Sequence, residues 1–242
     1  MASISIVIPA YNEGRRLGAS LDAVLRYLAS RRFSPYEVVV VDDGSTDDTV
    51  EVVERCRAAH PEVRLLRNPG NRGKGYAVRH GMLEATGDWI LFSDADLSAP
   101  IEQLDQLLEA ATREHASVAI GSRALDRSLI AVHQSPFREN AGRVFNLLVR
   151  LLAGLPFWDT QCGFKLFERH AAREVFRRQR IERFGFDAEA LYIARKLGFA
   201  SLEAPVRWSH SEGTKVRMLR DSLNMFLDLA RIRWNDLRGR YR

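Results

Sequence analysis

The chain is short of the features that most quickly classify a protein. Of its 242 residues only Cys56 and Cys162 are cysteines, far apart and with no metal-type spacing. That excludes a disulfide scaffold and a cysteine zinc site, and it fits a reducing compartment. The longest uncharged apolar runs, Ile4 to Tyr11 and Leu151 to Trp158, fall well below the ~20 residues that span a bilayer. The chain enters a strand at once, so no signal peptide is expected and a cytoplasmic protein is. No internal repeat and no low-complexity linker is present. Two nucleotide signatures are also missing. Pro9-Ala-Tyr-Asn-Glu-Gly14 stands where a dinucleotide fold has G-x-G-x-x-G, and in Gly70 to Gly75 the lysine is misplaced for a P-loop. Acidic charge is scarce in one place only. From Lys215 onward eight Lys and Arg face three Asp, an excess that equals the whole net charge of +5. A basic tail points to an anionic partner: a membrane surface, a nucleic acid or a phosphorylated substrate.

What is present centres on Trp89-Ile-Leu-Phe-Ser-Asp-Ala-Asp-Leu-Ser98. Trp89 to Phe92 reads as a strand buried on both faces, and it runs straight into Asp94 and Asp96. Ligands in parallel-sheet enzymes lie beyond the carboxyl ends of such strands. Two neighbouring acids are costly to desolvate unless a cation or donors neutralise them. Mg²⁺ held by one or two carboxylates and substrate phosphates would do so. The alternative is that Asp-Ala-Asp caps a helix starting near Ile101.

Strands are expected over Ser3–Ala10, Tyr36–Val41, Val63–Leu66, Trp89–Phe92 and Ser117–Gly121. Helices are expected over Arg15–Ser30, from Ser45 or Thr46 to about Ala59, and over Tyr76–Ala85 and Ile101–His115. This alternation predicts an α/β fold with a mostly parallel sheet. The polar clusters Pro9 to Glu13, Asp42 to Ser45, Asp94 to Asp96 and Gly121 to Arg123 all fall at strand carboxyl ends, which marks one rim as a ligand site. Beyond Arg123 an irregular stretch, Leu125–His133, precedes an apolar helix broken at Gly154-Leu155-Pro156. Asp159 to Phe167 reads as a turn into a strand. Helices at Arg169–Arg177 and Asp187–Leu197 follow, the second ending at Gly198, then a strand over Phe199–Trp208. A long helix fills Val216–Leu237, giving two units: 1–215 and a basic amphipathic helix, 216–242. Its stripe of Leu219, Leu223, Phe226, Leu227, Ala230 and Trp234 has three alternative partners: a membrane surface, the catalytic domain, or a second subunit in a homodimer.

Taken in order, Ile8-Pro-Ala-Tyr-Asn-Glu13, Val40-Val-Asp-Asp-Gly-Ser-Thr-Asp47, Asn71-Arg-Gly-Lys-Gly75 and Asp94-Ala-Asp96 resemble the family-2 inverting glycosyltransferases of GT-A fold. Gly121-Ser-Arg123 and Asp159-Thr-Gln-Cys-Gly-Phe-Lys-Leu-Phe167 narrow the resemblance to polyprenyl-phosphate sugar synthases, nearest those that transfer glucose to dolichyl phosphate. The resemblance implies a GT-A Rossmann-like sheet with flanking helices. It places Pro9, Tyr11 and Glu13 around the nucleoside, with Asp42 and Asp43 on the base or ribose. Asn71 and Lys74 would close that side. Asp96 would hold Mg²⁺ or Mn²⁺ on the diphosphate, with Asp94 on the ribose or on metal-bound water. Arg123 and Lys215 would face phosphates, Arg138 would grip the acceptor phosphate, and Asp159 occupies the place of a general base in many relatives. The alternatives for Asp42 and Asp43 are helix caps, and for the basic residues solvated surface charge. His210 or Arg207 would replace an arginine common in these synthases.

The implied reaction moves a sugar from a nucleotide diphosphate sugar, UDP-glucose first and GDP-mannose second, onto a polyprenyl phosphate. The enzyme would sit on the cytoplasmic face of an anionic membrane. A non-lipid acceptor, or a non-catalytic binder of nucleotide sugars or nucleic acid, are the competing readings. No nucleic-acid partner is expected, since the tail lacks an RNA-binding signature.

Overall fold

The structure, a computed structural model, describes residues 2–31, 33–132, 146, 147, 149–209 and 218–242, with the side chains of 218–223 outside that set. Strands and helices alternate as the apolar runs require: β1 (Ile4–Ala10), α1 (Gly14–Ser30), β2 (Tyr36–Asp42), α2 (Thr49–Ala59), β3 (Val63–Arg67), α3 (Lys74–Glu84), β4 (Trp89–Ser93), α4 (Gln103–Arg113) and β5 (Val118–Ser122). Then come a short β6 (Ile130–Val132), β7 (Phe164–Glu168), α5 (Arg169–Arg178), α6 (Phe186–Lys196), β8 (Ser201–Pro205), β9 (Trp208–Ser209) and α7 (Met218–Leu237).

The seven-stranded sheet has the order β3-β2-β1-β4-β7-β5-β8. All neighbours are parallel except β7, which runs antiparallel to both β4 and β5. That reversal positions the site. Phe164, the first residue of β7, pairs with Ser93, the last of β4. The turn entering β7 therefore reaches the rim where β1, β2, β4 and β5 end.

Side chains alternate across the sheet and fill two cores. Ile4, Ile6, Ile8, Val38, Val40, Leu91 and Leu166 pack with the apolar faces of α1 and α4. Val7, Val39, Val41, Ile90, Phe92 and Phe167 face α3, α5 and α6. The expected face of α1 (Leu17, Leu21, Val24, Leu25, Leu28) is buried throughout. Each such side chain contributes about 1.5–3 kcal/mol by leaving water. The second core also takes in Leu229 and Ile232 of α7, and Tyr241 beyond it.

Three local expectations change. Neither Ser45 nor Thr46 caps α2; Asp47 Oδ1 accepts from Thr49 N (3.0 Å) instead, because Ser45 Oγ and Thr46 N are bonded to Asn12. The strand expected over Phe199–Trp208 stops at Pro205, whose ring nitrogen has no hydrogen to donate to a ladder. The irregular stretch after Arg123 contains β6, which pairs with β9. Gly198 does follow α6 as its C′ residue: its amide donates to Arg195 O and that of Phe199 to Ala194 O. Among the described residues no helix is long and apolar enough to cross a membrane.

Candidate active site

Asp94 and Asp96 follow β4 directly, and each meets a cation. Lys74 Nζ, from the start of α3, lies 2.7 Å from Asp94 Oδ1, and Arg16 of α1 reaches to 3.7 Å from Asp96 Oδ2. Arg16 is itself held by Glu13. Burial opposes the charge on Lys74, but Asp94 and Asp187 outweigh it and raise its pKa. Asp96 Oδ1 also closes a short turn by accepting from Ser98 N (3.0 Å). The capping alternative for these acids is thereby set aside: α4 starts at Gln103, its N-cap residue is Glu102, and neither acid reaches it. Leu97, next to Asp96, has φ +46°, and Asn12 has φ +52°. Such strain, of order 1–3 kcal/mol per residue, collects at functional sites.

The side of the rim formed by the ends of β1 and β2 is tied together by bonds from backbone amides to side chains. Pro9 is buried in β1 opposite Val41, and Tyr11 stands half-buried beyond it. Asn12 N donates to Ser45 Oγ (2.9 Å), and Glu13 N to Thr49 Oγ1 (2.7 Å). Asp42 Oδ1 accepts from Ser45 N (3.1 Å). Asp43 is buried, and its carboxylate is the anchor of the glycine-rich loop. It accepts from Asn68 Nδ2 (2.7 Å), Arg72 N (3.1 Å) and Gly73 N (2.7 Å). Gly73 has φ +112°, so a side chain there would be strained. Asn71 is exposed at the tip of this loop. Neither Asp42 nor Asp43 caps α2.

The third component is the turn into β7. Asp159, 2 % exposed, receives Arg123 Nε at 2.6 Å, Arg123 NH2 at 2.8 Å and Arg123 N at 3.0 Å. Its own amide and that of Trp158 donate to Glu203 (2.8 Å each). Arg123 also lies over the Trp208 ring at 5.3 Å. Burial opposes ionisation of Asp159, but Arg123 more than offsets it and lowers the pKa. Engaged by three donors of Arg123, this carboxylate is a weaker base than a free one. Its contribution to stability is present above the ordinary value near ~3.9 and lost only as pH falls through the lower folded value. No ionisation of Asp159 should appear in the activity profile near neutrality.

Beneath the rim lie two charges that sequence reasoning missed. Lys165, 1 % exposed on β7, pairs with Asp187 of α6 and donates to Cys162 O (2.5 Å). Lys74 and Lys165 both face the Phe92 ring, at 5.4 and 5.6 Å. Asp94, Lys74, Asp187 and Lys165 thus alternate in sign around one aromatic side chain. The available signal was a lone lysine in the apolar strand Phe164-Lys-Leu-Phe167. Gly163 was missed too. Its carbonyl accepts from Asp94 N (3.0 Å), and a Cβ on it would stand 2.0 Å from Asp94 Oδ2 and 2.3 Å from Cγ. Gly163→Ala is expected to turn the Asp94 carboxylate away and lower kcat/KM on the order of 10- to 100-fold. The melting temperature should change little. Unchanged kinetics in the variant would show that Asp94 is not held by this contact.

Arg138, Lys215 and His210 lie outside the described residues. Among those described, no group of three or more His, Cys, Asp or Glu could cage a metal. Asp94 and Asp96 alone suit a hard divalent cation that completes its shell with substrate phosphates and water. A cleft of about 680 Å³ opens between α4 and β8, but none of the rim acids lines it.

The glycosyl transferase family 2 model matches residues 5–176. Dolichyl-phosphate beta-glucosyltransferase of Drosophila melanogaster is 41 % identical, with 99 % of this chain and 77 % of that one aligned. The Homo sapiens enzyme of the same name is 38 % identical at the same coverage. Among solved structures, glucosyl-3-phosphoglycerate synthase from Mycobacterium tuberculosis with Mn²⁺, UDP and phosphoglyceric acid superposes with TM-score 0.65 at 20 % identity, covering 99 % of this chain and 78 % of that one. Mannosyltransferase PcManGT from Pyrobaculum calidifontis with GDP-Man and Mn²⁺ gives 0.62 at 18 % identity, over 95 % and 64 %. These likenesses define a GT-A fold. With that fold and relatives this similar along nearly the whole chain, the protein belongs to glycosyl transferase family 2 and is a glycosyltransferase.

Proposed function

We propose that the protein transfers glucose from UDP-glucose to a polyprenyl or dolichyl phosphate, with inversion at the anomeric carbon. The reading is carried by near full-length similarity to enzymes named dolichyl-phosphate beta-glucosyltransferase. It is supported by the rim geometry. Asp94 and Asp96 would hold Mg²⁺ or Mn²⁺, and the bound ion supplies Lewis-acid stabilisation of charge on the departing diphosphate. Lys74 and Arg16 bring positive charge to the same rim. Pro9, Tyr11, Glu13 and Asp42 border the nucleoside, while Asp43 serves it through the loop that carries Asn71 and Lys74. Asp159 keeps Arg123 oriented toward phosphate. An acceptor phosphate needs no strong base, since its second pKa is about 6 and it is largely dianionic near neutrality. Arg138 on the acceptor and Lys215 on the diphosphate complete the assignment.

A lipid acceptor requires contact with a membrane. The described part of α7 supports this. It buries Leu229 and Ile232, and leaves Phe226, Leu227 and Trp234 of the expected stripe exposed, with Leu237 beside them. Arg231, Arg233 and Arg238 surround that outer face. Leu147, Leu151, Leu152 and Trp158 form a second exposed apolar group. Each basic residue near an anionic surface adds about 1 kcal/mol.

Turnover of radiolabelled UDP-glucose and GDP-mannose, offered with polyprenyl phosphate or with soluble acceptors, tests the reading. Transfer from UDP-glucose to the lipid, lost in excess chelator, is the expected result. Transfer only to soluble acceptors, or only from GDP-mannose, overturns it. In parallel, the protein should sediment with anionic liposomes at low salt and be released at high salt. Protein that stays in the supernatant excludes the docking face, and a dimer in solution would give that face a different partner.

A further inference from the structure

The glycine-rich loop takes its shape from a neighbour outside every nucleotide motif. Residues 179–183, between α5 and α6, lie directly against it. Tyr76 N donates to Glu182 O (3.0 Å), and Gln179 Nε2 donates to Gly75 O (2.9 Å). The approach is close: a Cβ on Gly73 would lie 2.5 Å from Glu182 O, and one on Gly75 2.6 Å from Ile181 O.

This wall hangs on a buried carboxylate. Glu189, in the first turn of α6, is fully buried, and its Oε2 accepts from Arg180 N (2.9 Å) and Ile181 N (2.7 Å). Its Oε1 accepts from the hydroxyl of Tyr241, which is also fully buried. Asn235 Nδ2, at the end of α7, donates to that hydroxyl at 3.2 Å. Asp228 of α7 presses on Gly185 just before α6, where a Cβ would stand 2.5 Å from the carboxylate. An apolar side chain could fill the Glu189 position at lower desolvation cost, but it could not fix two backbone amides.

We propose that Glu189 and Tyr241 are positioning residues for the loop Asn71–Gly75. The seating of α7 then sets how firmly Lys74 and the donor side of the rim are held. The inference rests on the reading that this loop borders the nucleotide. It goes beyond that reading by making a helix with an exposed apolar face a determinant of donor affinity.

Tyr241→Phe tests it, since the ring stays and only the hydroxyl goes. Amide exchange at residues 72–76 should quicken about fivefold, because local opening becomes easier. UDP affinity and the KM for UDP-glucose should weaken by a similar factor, while kcat and the KM for polyprenyl phosphate stay within about twofold. Gln179→Met cuts the same path at its last link and should reproduce the pattern. The double variant should show less than the product of the two effects, as expected of coupled sites. Glu189→Gln keeps an oxygen for the two amides but turns a donor toward the Tyr241 hydroxyl, so its effect should match that of Tyr241→Phe and not exceed it. Unchanged exchange at 72–76 in both single variants, with only a lower melting temperature, overturns the proposal. Faster exchange with unaltered UDP affinity would support the coupling and instead overturn the placing of this loop beside the nucleotide.

Discussion

Asp96→Asn is expected to lower kcat by on the order of 100-fold or more while leaving the fold intact. The side chain sits on the rim with one oxygen closing the turn at Ser98 and the other turned toward Arg16. Asparagine keeps an oxygen for the turn and removes the charge. Substrate binding should suffer less than turnover, because the carboxylate matters most when charge moves onto the leaving diphosphate. The comparison is steady-state kinetics of both proteins with and without chelator, with thermal melts alongside. If the wild type keeps turning over in excess chelator, or the variant is as fast, the assignment of Asp96 to a cation is wrong.

The largest expected loss of stability comes from Lys165→Met. Lys165 is buried with Asp187, and removing one member leaves the other charge without its partner. Breaking a buried pair in this way costs about 3–5 kcal/mol. For a chain of this length that corresponds to a fall in melting temperature of roughly 10 °C. The carbonyl of Cys162 loses its donor as well, so the turn that carries Asp159 and backs Asp94 should loosen. Lys165→Met combined with Asp187→Leu removes both charges and should recover much of the stability. It should not recover activity, because Lys74 then depends on Asp94 alone. A single variant as stable as the wild type would show that water or a neighbour compensates the pair. A double variant with full activity would reduce the pair to a packing element.

Most strands and the polar rim were legible in the sequence, for a physical reason. A parallel strand covered on both faces must be an apolar run, and it must end where polar residues begin, so Val38–Val41 and Ile90–Phe92 announce themselves. Direction is different. Phe164-Lys-Leu-Phe167 reads the same whichever way it pairs, and only its register with β4 and β5 shows that it runs backward. Asp159 could be singled out as polar and placed at a turn. Its engagement by Arg123, 36 positions earlier, is a tertiary fact. The burial of Lys165 is not legible, because a single charge in a strand ordinarily faces water and its partner is 22 residues away. In α7 the expected stripe included Phe226, Leu227 and Trp234, yet the core takes Leu229 and Ile232. The helix is apolar on two sides, and periodicity alone does not choose between them.

The reversed β7 has a consequence for how the chain is made. β1, β2, β3 and β4 pair with one another within the first 93 residues, through short parallel connections. During synthesis this segment can assemble before the rest emerges from the ribosome. One of its two outer strands is then β4, Trp-Ile-Leu-Phe-Ser, and the partner that covers it is not translated until residues 164–168. For some seventy codons the nascent protein therefore carries an open, apolar sheet edge, the kind of surface on which chains aggregate. Late closure by β7 makes this stretch of translation the interval in which a chaperone has the most to protect.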